Sequence, residues 1–102
     1  MKNELVIMDL IVDAGSARSY AMEAIRLAKD GSLDAAETAL QNAEAEMSKA
    51  HHAQTDLIQN EAKGAHTEIN LFMVHAQDHI MTAILAKDLA REFVELYKKI
   101  NV

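Results

Sequence analysis

Leu33, Ala36, Leu40, Ala43, Met47, Ala50, Gln54 and Leu57 recur along the chain in alternating steps of three and four residues. A helix turns about 100° per residue, so it gathers such positions onto one face, which a strand of period two cannot do. The small residues in the stripe let a neighbouring helix come close. Ser32 ahead of it is a fitting N-cap, with Asp34 and Glu37 near the positive end of the helix dipole. Glu37, Gln41, Glu44 and Lys49 fall on the outer face and are expected to be solvated.

Two more helices are predicted around this one. From Leu5 to Lys29, one apolar stripe runs through Leu5, Met8, Val12 and Gly15, and another through Ile7, Ile11, Ala14, Arg18 and Ile25. A helix apolar on two sides is sandwiched between neighbours. Gly15 and Ser16 are poor helix formers, and they fit either a close backbone contact or two tolerated weak positions. Asp30-Gly31 is a stop signal, because glycine adopts positive φ at a helix C-terminus. Asn60 to Thr67, which contains Gly64, breaks the periodicity and reads as the one substantial loop. A last helix is expected from about Glu68 to Lys99, on the order of 45–50 Å long.

The whole chain, 1–102, is thus expected to form one all-α domain, an antiparallel three-helix bundle. Composition agrees: half of the residues are apolar but only 4% are aromatic, which favours close helices over sheet. A helix that long cannot fit a spherical domain of this size, so the bundle must be elongated. The absence of cysteine excludes disulfides and thiolate metal sites, and is compatible with a cytosolic protein. The opening M-K-N-E-L-V-I-M-D-L meets acid at Asp9 before any sustained apolar run, so it reads as neither a signal peptide nor a membrane span. A net charge of −6 argues against a nucleic-acid partner.

Chemistry concentrates in Val74–Thr82, V-H-A-Q-D-H-I-M-T. His75, Asp78, His79 and Thr82 share one side of a helix with Leu71, Leu85, Leu89 and Leu96, while Gln77 points about 200° away from His75. Polar groups in an apolar seam cost free energy unless partnered. Three roles fit them. His75 and His79 can be hydrogen-bonded core histidines with Asp78 as a buried registry residue. His75, Asp78 and His79 can form a divalent-metal site. Or His75 can be a nucleophile, because neutral imidazole accepts a phosphoryl group. Spacing alone leaves the three open. His51 and His52 are adjacent, hence about 100° apart, and are no i,i+4 metal pair. His66, in the expected loop, is a poor candidate for catalysis.

The segment L-F-M-V-H-A-Q-D-H-I-M-T, Leu71 to Thr82, resembles the active-site helix of the IIA components of the bacterial phosphoenolpyruvate-dependent sugar phosphotransferase system, lactose/cellobiose class. G-S-A-R-S (Gly15 to Ser19) and A-H-H-A-Q-T-D-L-I (Ala50 to Ile58) extend the likeness over nearly the whole chain. Ile80 departs from it mildly, standing where leucine is commoner. The resemblance implies a cytoplasmic phosphocarrier acting through a phosphohistidine at His75, with His79 and Gln77 in support. It implies a homotrimer, a bundle of nine helices, in which Asp78 and its symmetry mates hold one divalent metal, Mg²⁺, on the axis. The implied partners are the general histidine phosphocarrier, which donates, and the IIB component, which accepts on a cysteine for disaccharide uptake. No insertion into the membrane is implied. An oligomeric helical metal-binding or adaptor protein without phosphotransfer is the alternative. A two-component phosphotransfer domain fits less well, since its H-x-x-K-G run is missing.

Overall fold

A computed structural model describes residues 4–100, so both ends of the expected 1–102 domain, with Met1–Asn3 of the opening segment, lie outside the described residues. The expected helices form: α1 (Glu4–Lys29), α2 (Leu33–Ala62) and α3 (Leu71–Ile100), with no strand among the described residues. They pack as a rod of 53 × 20 × 18 Å. Its radius of gyration is 15.8 Å, against about 13 Å for a compact domain of this length. No helix of the described residues is long and apolar enough to cross a membrane.

Glycine sets both helix ends that the chain turns on. At Gly31 (φ 86°) the Ser32 N–H donates to Leu27 O at 2.9 Å and the Gly31 N–H to Ala28 O at 3.0 Å. At Gly64 (φ 90°) the pattern repeats: Ala65 N–H to Asn60 O at 2.9 Å and Gly64 N–H to Glu61 O at 3.1 Å. This paired closure satisfies carbonyls left free at a helix end and needs a left-handed residue, which glycine accepts without steric cost. Two boundaries therefore shift from expectation. The Asn60–Thr67 loop begins only after α2 has run on to Ala62, because Gly64 is its stop rather than a loop glycine. α3 starts at Leu71, where Asn70 Oδ1 accepts the Met73 N–H at 2.9 Å and so caps the helix. Ser32 precedes α2 but makes no side-chain cap. Its backbone N–H is committed to closing α1.

The core is built largely of alanine. On α1, Ala14, Ala17, Ala21, Ala24 and Ala28 are fully buried at alternating steps of three and four. They bring the α2 stripe, Ala36 through Gln54, and Met73, Ala76, Ile80, Ala83, Ala90 and Val94 of α3 into close contact. α1 is sandwiched as expected, yet its Leu5, Met8 and Val12 stripe remains exposed. Gly15 meets no close neighbour: a Cβ there would find nothing within 4 Å, so no close backbone contact explains it within the chain.

Charge ties α2 to α3 at the end near Gly31. Glu37 and Glu44 are paired rather than merely solvated, because the α2 face that carries them borders the basic positions of α3. Arg91 donates to both Glu37 oxygens at 2.8 and 2.9 Å, Lys98 donates to Oε1 at 2.5 Å, and Lys87 lies 3.0 Å from Glu44. The bonds from Lys98 and then Arg91 hold the Glu37 carboxyl below its ordinary value of 4.5. A carboxyl with a lowered folded value stabilises the fold above the unfolded value, and that stabilisation is lost as pH falls through the folded one. Wild type should therefore melt above Glu37→Gln near neutral pH, with the gap closing below about pH 4.5. Thermal unfolding of both proteins across that range checks it; a gap that persists in acid would exclude the ion pairs as its source.

Candidate functional site

The side of α3 facing away from the core carries a continuous seam: Leu71, His75, Asp78, Thr82, Leu85, Leu89 and Leu96. The leucines are 83%, 59%, 48% and 50% exposed in chain order. The seam is thus an open face of the single chain, and His75 and Asp78, both exposed, are not part of that chain's own core. The helix lies this way because Met73, Ala76, Ile80, Ala83 and Val94 define its buried face on the opposite side.

His75 and His79, one turn apart, meet ring to ring. Their Nε2 atoms are 3.1 Å apart, their centroids 4.4 Å, and the planes stand at 84°. Two nitrogens at that distance need a proton between them, so one ring carries hydrogen on Nε2 and the other presents a lone pair. His75 also borders an apolar hollow of about 260 Å³ with Leu71 and Phe72. His79 is half-buried and lines a cleft of about 550 Å³ against α1, shared with Val12, Gly15, Ser16, Ser19 and Tyr20. Gly15 and Ser16, unexplained by packing, thus edge the space beside His79. Thr82 turns back on its own helix and donates to the backbone oxygens of Asp78 and His79 at 2.9 and 3.2 Å.

Gln77 points away from His75 as expected, into the seam between α2 and α3. Its Oε1 accepts from Gln54 Nε2 at 2.9 Å, and its own Nε2 meets only the Met73 thioether at 3.4 Å. Gln54 is the one buried polar side chain among the described residues. It was visible in the sequence as the single polar member of the α2 stripe, but its partner was not.

His51 and His52 are exposed on α2, and His66 contacts Glu61 beside Gly64; none is hydrogen-bonded to the His75 pair. No three His, Cys, Asp or Glu of the described residues come together as a metal site. Asp78 makes no ion pair with the described residues. One exposed carboxylate is a hard oxygen donor of the kind Mg²⁺ takes, but a single chain supplies too few.

The comparisons identify the frame that carries this face. Residues 5–98 match the family described as "PTS system, Lactose/Cellobiose specific IIA subunit", and the chain belongs to that family. It is 56% identical over 98 residues to the lichenan-specific phosphotransferase enzyme IIA component of Bacillus subtilis, covering 96% of this chain and 89% of the relative. It is 40% identical to the N,N'-diacetylchitobiose-specific EIIA component of Escherichia coli, covering 96% and 84%. Among solved structures, the cellobiose-specific enzyme IIA of Bacillus anthracis superposes with a TM-score of 0.94 at 48% identity, over 99% of this chain and 93% of that one. The chitobiose IIA of Escherichia coli, solved in complex with HPr, superposes at 0.82 with 38% identity, over 97% and 96%. The chain is accordingly a phosphotransferase-system IIA component.

The Gln54–Gln77 pair is testable by itself. Gln54→Leu leaves the Gln77 carbonyl without its donor and should cost about 1–3 kcal/mol, whereas Gln54→Leu with Gln77→Leu removes both partners and should recover most of that loss. Chemical denaturation of the two variants checks it. Equal losses would mean that the bond adds nothing beyond packing.

Proposed function

We propose that this IIA component accepts a phosphoryl group on Nε2 of His75 from the general histidine phosphocarrier and passes it to a cysteine of a IIB component for disaccharide uptake. The observation that carries the reading is the exposed His75 imidazole, whose Nε2 lies 3.1 Å from that of His79, on a chain of this family. In the free protein His79 Nε2–H donates to the lone pair of His75. When phosphorus approaches in line, the bond to the donor's ring nitrogen breaks as the bond to Nε2 forms. The His79 N–H, released from its lone-pair acceptor, then turns to a phosphoryl oxygen. Such catalysis is mostly positioning and charge stabilisation. The complex of the chitobiose relative with HPr supports a partner of that kind. In this scheme the chain meets its donor and acceptor groups in the cytoplasm.

Incubation with phosphoenolpyruvate, the first enzyme of the system and the general phosphocarrier tests the reading. Wild type should take up acid-labile phosphate and His75→Ala, a change at an exposed position, should fold yet take up none. His79→Ala should label at a rate reduced by about ten- to a hundredfold, the range for a positioned donor. Labelling of His75→Ala would move the phosphoryl group to another histidine. Wild type that takes up none, while binding metal or a partner, would favour the adaptor reading.

The open seam supports assembly as a homotrimer. Its exposed leucines run the length of α3, and burying them against copies of the same helix would remove from water the apolar surface that the single chain leaves outside. Three Asp78 carboxylates would then converge on the axis. At about 5 Å and an effective dielectric of about 20, each pair repels by roughly 3 kcal/mol, a load that a divalent cation such as Mg²⁺ would neutralise. Gln77, turned from its own His75 and held by Gln54, could help only by reaching the site of a neighbouring subunit. Light scattering should give three chains per particle. Chelation should lower the melting temperature of wild type but not of Asp78→Leu, which removes the charge while keeping the seam apolar. A monomer in Mg²⁺, or equal sensitivity to chelator, would sink the axial cluster.

A further inference from the structure

We infer that His75 and His79 form a chelating site for a first-row transition ion, of which Zn²⁺ is the probe, and that its occupation blocks phosphoryl acceptance. The two imidazoles lie at i and i+4 on an uninterrupted helix, and it is their Nε2 atoms that converge, at 3.1 Å. Zinc binds imidazole nitrogen at about 2.0–2.1 Å, so a nitrogen pair 3.1 Å apart closes an N–Zn–N angle of about 95–100°. That lies between the square and tetrahedral angles, and small ring rotations reach either. The exposure of His75 and the cleft beside His79 leave room for water to complete the shell.

The donor chemistry selects the ion. Two neutral imidazoles suit Zn²⁺, Cu²⁺ or Ni²⁺, whereas Mg²⁺ prefers oxygen and keeps its waters. The site is therefore separate from any Mg²⁺ held by Asp78. No other histidine pair among the described residues has this geometry: His51 and His52 are neighbours in sequence, and His66 is turned to Glu61. Loading the pair balances without net proton release. The hydrogen that sits between the two Nε2 atoms moves to Nδ1 of the same ring, and both Nε2 lone pairs then point at the metal. With only two protein ligands the ion stays exchangeable, which fits reversible inhibition rather than a structural role.

The inhibitory half rests on the phosphocarrier reading, since the lone pair that binds zinc is the one that attacks phosphorus. The metal-binding half rests on geometry alone. The experiment is a Zn²⁺ titration of the full chain, followed through the histidine ring resonances by NMR and in parallel through phosphoryl uptake, in excess Mg²⁺. Zn²⁺ should shift the His75 and His79 rings together, at one ion per chain. His75→Ala and His79→Ala should each weaken binding at least tenfold, whereas Asp78→Leu and the double variant His51→Ala, His52→Ala should not. Phosphoryl uptake by wild type should fall as the pair fills and return on adding chelator. His79→Ala, slower from the start, should be insensitive to the same Zn²⁺. Equal Zn²⁺ affinity in wild type and His79→Ala would overturn the site. Uptake unaffected by a saturated pair would overturn the inhibition. Wild type that binds Zn²⁺ but takes up no phosphate even without it would leave the site standing and remove the phosphocarrier reading.

Discussion

Alanine against alanine is the contact on which this molecule depends. Five alanines of α1, each with no exposed surface, form its inner ridge, and the other two helices settle onto them. Each methyl removes little apolar area from water, and so small a contact is effective only because it brings whole helix backbones close. The arrangement also fixes where larger apolar side chains can go. A ridge of methyl groups has no holes for leucine, and much of the leucine, methionine and phenylalanine of α1 and α3 therefore stands outside. The outward seam that frames His75 is the complement of the alanine core.

Much of that organisation was legible in the sequence. The strict three-four stripe of α2 requires a helix, and its members from Ala36 to Gln54 are all buried, joined by Ala39 beside the stripe. The stop at Gly31 was equally plain, because positive φ is a property of the residue. Less legible were features that depend on two distant segments at once. Glu37 looked like any solvated glutamate, since Arg91 and Lys98 lie more than fifty residues away in sequence. Gln54 stood out as polar in an apolar stripe, yet only the packed helices reveal Gln77 as its partner.

The candidate site divides the same way. Helical spacing put His75, Asp78 and His79 on one face, and the structure has them there. Spacing could not tell an inward seam from an outward one, because the periodicities of α3 offer two apolar faces and only packing selects between them. The residues beside the histidines were likewise out of reach: Ser16 and Gly15 approach His79 across α1 and α3, from more than sixty positions upstream. Gly15 fitted either a close backbone contact or a tolerated weak position in the sequence, and only the packed helices show it as the edge of an open cleft.

The core is not continuous along the rod. One apolar cluster gathers Ile7, Leu10, Met47, Met73 and Ile80 around the half that bears the histidines; a second, of alanines with Leu40 and Val94, fills the half near Gly31. The second half alone has the ion pairs from α2 to α3 and a three-residue connection between helices, while the first ends in the longer link to Leu71. Such a rod is built to breathe from one end. Partial opening at the histidine end would cost one cluster and leave the other as a clamp, so that end could change shape without the molecule coming apart.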